Sequence, residues 1–166
     1  MIPHAYTDLD WLRLAFATAQ EHSHDPSTQN GAVIVPAGFA VAAAAANELP
    51  ARIQATPSRL ERPNKYRWVE HAERGAIYAA ARMGTPTAGA KMYVCWFACT
   101  DCARAIICAG IREVIGHVTP RLLTPPRWEV EVLAGESMLR EAGVSMRWLA
   151  EPLGVTILFD EKEVTV

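Results

Sequence analysis

The sequence has little that would suit a nucleic acid or a membrane. Its 16 Lys and Arg are outnumbered by 18 Asp and Glu, giving a formal charge of −2 at pH 7. No general electrostatic pull toward a phosphate backbone or anionic lipid is therefore expected. No apolar run is long enough for a membrane span, and the first residues lack the basic-then-apolar order of a secretory signal. The expected location is the cytoplasm, with neither nucleic acid nor membrane as partner. Internal repeats and low-complexity tracts are missing, apart from the alanines at 42–46. Cysteine is scarce as well. The four cysteines, Cys95, Cys99, Cys102 and Cys108, crowd into one short segment. That is a poor plan for disulfides, which stabilise most when they close long loops, and in a reducing compartment such a cluster points to metal or catalytic chemistry.

What is present suits one domain: 166 residues, 51% of them apolar. "TDLDWLRLAFATAQ" places Leu9, Leu12, Phe16 and Ala19 on one face behind a capping Thr7 or Asp8 and predicts a helix. "GAVIV" and "FAVAAAA" predict two strands joined by the turn Pro36-Ala37-Gly38. Residues 48–66, with Pro50, Pro57 and Pro63, read as an irregular loop, and a helix is expected over about 69–83, ending at Gly84. "AKMYVCWF", "IREVIGHV" and "VSMRWL" read as strands, and "DCARAIICAG" and "PPRWEVEVLAGESMLREAG" as helices. The tail "VTILFDEKEVTV" alternates about a polar turn, as a hairpin or an extended arm would. This order predicts an α/β domain with one mixed sheet and helices on both faces.

Two short stretches carry the chemistry. "HAE" at 71–73 heads one helix, and "CTDC" at 99–102 brackets the start of another. A helix N-terminus favours the thiolate, the form that binds zinc, and a Cys-x-x-Cys spacing lets both sulfurs reach one tetrahedral ion. His71 would be the third ligand, and three protein ligands leave a position open for water, the mark of a catalytic site. Glu73, two residues on, can lie beside the metal without coordinating it and carry protons from water to a substrate nitrogen. A redox dithiol would need neither His71 nor Glu73, and a structural zinc site would need a fourth ligand that has no obvious candidate. Cys108 lies six residues beyond Cys102 and turns away. Cys95 and Cys108 read as small apolar fillers of the core.

The pattern "HAE" followed by "CTDC" resembles the His-x-Glu and Pro-Cys-x-x-Cys signature of the zinc-dependent deaminases, a signature known in its own right. With "DPSTQNGAVIV", "NELPARI", "KYRWVEHAERGAI", "CARAIICAGIREV" and "AGVSMRWL" in order, the sequence resembles the deoxycytidylate (dCMP) deaminases from about residue 8 to 149. That resemblance implies a three-layer cytidine deaminase-like fold with a mixed sheet of about five strands. It implies a zinc-dependent deaminase domain over 1–150, with 151–166 as an extension, either hairpin or assembly arm. It implies a Zn2+ cofactor held by His71, Cys99 and Cys102, with Glu73 as proton shuttle in the hydrolysis of dCMP to dUMP and ammonia. It also implies a homo-oligomer with nucleoside triphosphate effectors. Asn47 matches the family asparagine that contacts the nucleotide near its sugar. Lys65 and Trp96 are further candidate substrate contacts, and Ser23 and Ala72 join them.

Three departures bear on the substrate. Ala98 stands where the family usually has proline, and Gly75 where asparagine is common. His22 and His24 stand where Arg or Lys is common near the phosphate end, and a histidine is only partly charged at neutral pH. Arg52, Arg59, Arg62, Lys65 and Arg67 offer another source of positive charge. A deaminase of a nucleoside, a free base or a 5-substituted cytosine nucleotide is therefore the alternative. A catalytically silent zinc-binding subunit is the reading from another class, and the presence of Glu73 counts against it.

Overall fold

The computed structural model describes residues 6–38 and 43–166. The runs "GAVIV", "KMYV" and "EVIGH" have few polar interruptions, as strands covered on both faces require. They form β1 (Gly31–Val35), β3 (Lys91–Val94) and β4 (Glu113–His117), flanked by β2 (Ala43–Ala46) and β5 (Ser145–Leu149) in the order β2-β1-β3-β4-β5. β1 runs antiparallel to both β2 and β3, while β3, β4 and β5 are parallel. The sheet is therefore mixed. Residues 39–42, the first part of the expected second strand, lie outside the described residues.

Register sorts the apolar residues into two cores, because successive side chains of a strand point to opposite faces. Val33, Tyr93 and Ile115 stand side by side across three strands and pack against Leu12, Ala15 and Phe16 of α1 (Asp8–His22). Ile34, Met92 and Val114 line the other face, under α4 (Ala72–Met83), α5 (Thr100–Cys108) and α7 (Pro126–Glu141). α1 opens with a capping box in which Thr7 and Asp10 satisfy each other's backbone N–H. The result is helices on both faces of one sheet.

Some expectations change. The helix expected from 69 begins at Ala72, because Glu70 is held extended by a two-way backbone bridge to Glu48, at 2.8 and 3.2 Å. The segment 48–66 is not wholly irregular: it contains α2 (Pro57–Leu60) and the start of α3 (Lys65–Trp68). A short α6 (Val118–Leu122) follows β4, where the sequence pattern gave only a strand. Cys95 is a core residue, but Cys108, in the last turn of α5, is exposed.

The tail folds as the hairpin β6 (Thr156–Phe159) and β7 (Lys162–Thr165). Asp160 and Glu161 at its tip both have positive φ, as a two-residue hairpin turn requires. Ile157, Phe159 and Val166 are buried with α1, and Leu158 exchanges two 2.8 Å hydrogen bonds with Gln29. The tail's apolar side is thus used within its own chain.

Candidate active site

The parallel strands end on one side of the sheet, and the starts of α4 and α5 meet there. His71 is the N-cap residue of α4 and Cys99 the N-cap residue of α5, both with extended backbone. Cys102 lies in the first turn of α5 and is buried. Nδ1 of His71 stands 3.5 Å from Sγ of Cys99 and 3.5 Å from Sγ of Cys102. All three ligand atoms fall within 4.8 Å of one another, and no other such group occurs among the described residues. Two ligands on a tetrahedral zinc, at ordinary Zn–N and Zn–S lengths, stand roughly 3.5 Å apart. The donor set and its spacing fit zinc.

Glu73 supplies a second sign. It is 2% exposed, and its Oε2 is buried without a hydrogen-bond partner among the described residues. A buried, unsatisfied carboxylate oxygen is costly and is best explained by a group that belongs in the space beside it. Burial pushes the Glu73 carboxyl up to about 7, against the opposing pull of His71. It is thus poised to hold or release a proton near neutral pH. Cys99 is drawn down to about 4 by hydrogen bonding from Cys102 and by His71, while the Cys102 thiol is raised by the same pairing and by burial. One sulfur is ready as a thiolate, and metal binding displaces the proton of the other.

Ionic and backbone contacts hold the two helix starts together. Arg74 pairs with Glu70, whose Oε1 accepts the His71 N–H at 2.9 Å, and reaches Asp101 of α5 at 3.4 Å. α7 crosses close above: a Cβ on Gly135 would lie 2.6 Å from the Ala98 carbonyl oxygen. Ala98 and Cys99 are therefore held by this approach, without the proline that the family usually has there.

His71 opens into a cleft lined by Asn47, Lys65, Tyr66, Trp96, Arg127 and Trp128, among others. Asn47 is buried, and its Oδ1 accepts the Ala72 N–H at 3.0 Å, so it pins the start of α4 as well as lining the cleft. Ala72 is fully buried and does not reach the cleft. Ser23 caps the end of α1 and donates to the Asn47 carbonyl at 3.3 Å, again without lining the cleft. Lys65 lies in the wall, 4% exposed, with Nζ bonded to both Asp25 oxygens at 2.7 and 2.8 Å and to Ser27. Trp96 donates to Thr124 Oγ1 at 3.1 Å and sits edge-on to Trp128 and Phe159. Phe97 turns the other way, onto Trp148.

The departures in sequence resolve differently. His22 is exposed, and His24 accepts the Leu49 N–H at 3.0 Å through Nδ1; neither lines the cleft. Gly75 faces Ala45, where an added Cβ would approach to 3.0 Å, so its small size lets α4 lie on β2. Residues missed in the sequence are Arg127, Trp128 and Phe159. Trp128 is edge-on to His71, at 6.4 Å between ring centroids. The run Pro-Pro-Arg-Trp at 125–128 announces the start of α7 but not what it faces.

Residues 5–118 match the cytidine and deoxycytidylate deaminase zinc-binding region. The chain belongs to this family. An uncharacterized deaminase from the luxG 3' region of Aliivibrio fischeri is 34% identical over 149 residues, covering 84% of this chain and 93% of the relative. Human deoxycytidylate deaminase is 38% identical over 117 residues, and the match spans 64% of each chain. Among solved structures, the dCMP deaminase of cyanophage S-TIM5 superposes with a TM-score of 0.66 at 20% identity, covering 90% of this chain and all of the other. That likeness concerns the fold, a cytidine deaminase-like sheet of five strands between helices. The protein is accordingly a zinc-dependent hydrolytic deaminase, and no helix among its described residues is long and apolar enough to cross a membrane.

Proposed function

We propose that the protein deaminates the cytosine ring of dCMP, giving dUMP and ammonia. The observation that carries this reading is the His71–Cys99–Cys102 triad with the buried, unpartnered Glu73 carboxylate beside it. His71, Cys99 and Cys102 would hold the zinc, which when bound supplies the Lewis acidity that brings water within reach of deprotonation near neutral pH. Glu73 accepts a proton from the attacking water, delivers it to ring N3 and passes a second proton to the departing amine. Its burial serves this role, since desolvation raises the carboxyl above the ordinary carboxylate range and so favours its holding a proton between the two transfers. Asn47 holds the start of α4, and with it His71 and Glu73, while presenting its side chain to the cleft. Trp96, Tyr66 and Trp128 supply aromatic walls for the ring.

A deoxycytidine deaminase is the second reading, and one observation favours it. Each cation lining the cleft already faces an acid: Lys65 faces Asp25, and Arg62 and Arg127 share Asp160. Location in the cytoplasm and assembly as a homo-oligomer under nucleoside triphosphate control belong to the same proposal. The exposed Leu122, Val130 and Leu133 on α6 and α7 support assembly. In the proposed domain plan, residues 151–166 form an extension that completes the cleft through Phe159. Ammonia release from dCMP, deoxycytidine, CMP and 5-methyl-dCMP by the zinc-loaded protein tests the substrate. A strong preference for dCMP supports the leading reading, and equal or better turnover of deoxycytidine establishes the second.

A further inference from the structure

The mouth of the cleft carries charge that the proton transfers on its floor do not use. Arg62, between α2 and α3, and Arg127, at the start of α7, both line the cleft into which His71 opens. Both guanidinium groups converge on one carboxylate, that of Asp160 at the tip of the β6–β7 hairpin. Arg62 Nη2 donates to Asp160 Oδ1 at 2.8 Å. Arg127 donates to the same oxygen through Nη2 and to Oδ2 through Nη1 at 3.3 Å. Arg62 Nη1 donates in addition to Glu161 Oε1 at 2.8 Å. The remaining lysine of the cleft is committed differently: Lys65 is buried, with Asp25 and Ser27 on its ammonium.

Two planar forks turned on one carboxylate present donors that serve a phosphate group equally well. Asp160 holds them from a two-residue surface turn, with 30% of its side chain exposed, so it can yield without disturbing the buried part of the hairpin. We propose that Asp160 is a specificity-determining residue, an internal counter-anion that occupies the Arg62–Arg127 fork and competes with the 5'-phosphate of a nucleotide substrate. The inference rests on the dCMP reading. It makes the preference for nucleotide over nucleoside a property of the C-terminal hairpin, which lies outside the stretch that resembles the family.

Asp160→Asn removes the charge and keeps the turn, since asparagine tolerates a left-handed backbone. With zinc-loaded protein, the ratio of kcat/KM for dCMP to that for deoxycytidine is expected to rise about fivefold in this variant, through a lower KM for dCMP. In Arg127→Gln the ratio is expected to fall. A ratio in Asp160→Asn that stays at the unsubstituted value, or drops, overturns the proposal. If Asp160→Asn does not fold, Glu161→Gln removes the charge that faces Arg62 Nη1 and should move the ratio the same way by less; no movement overturns the proposal. If the unsubstituted enzyme deaminates neither substrate, the function proposed above fails. Calorimetric titration with inorganic phosphate then decides the inference alone: tighter binding by Asp160→Asn supports it, and equal binding overturns it.

Discussion

Gly135→Ala is the substitution whose sign depends most directly on how α7 covers the metal ligands. In an unconstrained helix interior, replacing glycine by alanine stabilises by about 1 kcal/mol. At 135 the new Cβ would lie 2.6 Å from the Ala98 carbonyl oxygen and 3.4 Å from the carbonyl carbon and oxygen of Cys99. Ordinary contact begins near 3.4 Å, so α7 and the Ala98 backbone must separate by about 0.8 Å. Overpacking of this kind costs about 1–3 kcal/mol, and the clash is with backbone, which cannot rotate away. The net expectation is destabilisation of about 1 kcal/mol. Because the displaced backbone carries Cys99, zinc affinity should fall about tenfold as well. Urea unfolding of the zinc-loaded protein gives the first quantity, and competition with a chromophoric chelator gives the second. A variant that is more stable than the parent and binds zinc equally well would refute the packing argument.

Other outcomes follow from ion pairs. Asp8 is drawn down to about 2, its burial outweighed by hydrogen bonds from Arg147, Tyr93 and Lys91. Its folded-state pKa lies below the unfolded one, so the stability it contributes is complete above about pH 4 and is lost as pH falls toward about 2. The contribution is about 2 kcal/mol. The gap in unfolding free energy between parent and Asp8→Asn should therefore shrink by that amount between pH 5 and pH 2; a gap that does not narrow contradicts the assignment. Asp25→Asn preserves an acceptor for the Ser27 and Thr28 N–H groups but leaves the Lys65 ammonium buried without its counter-charge. A loss of about 3–5 kcal/mol is expected in denaturant unfolding. A loss below about 1 kcal/mol would mean that the pair is solvated.

The metal triad was legible in the sequence because its information is local. His71 and Glu73 lie two residues apart at one helix start, and Cys99 and Cys102 lie three apart at another, so short-range helix geometry fixes each half. The mixed sheet was legible for a similar reason, since apolar strands alternate with amphipathic helices along the chain. The mouth of the cleft was not legible. Lys65 pairs with Asp25 across 40 residues, and Arg62 and Arg127 reach Asp160 across 98 and 33. No periodicity announces such pairings, so Arg62 and Lys65, which read as free positive charge in the sequence, turn out to be paired with acids. Ser23 and Ala72 show the converse. Both lie beside residues that matter, yet their contacts support Asn47 and do not face the cleft. The late start of α4 likewise depends on the bridge between Glu48 and Glu70, a tertiary contact that overrides local helix propensity.

The central claim is that Glu73 moves protons beside the zinc and does not hold the metal. Glu73→Gln keeps the shape of the side chain and removes its ability to accept a proton. Zinc content by atomic absorption and ammonia release from dCMP and deoxycytidine, measured on the same preparation, decide the matter. The account predicts one zinc per chain, as in the parent, with turnover reduced by at least about a hundredfold on every substrate the parent accepts. Loss of zinc together with activity, or retention of both, would contradict it.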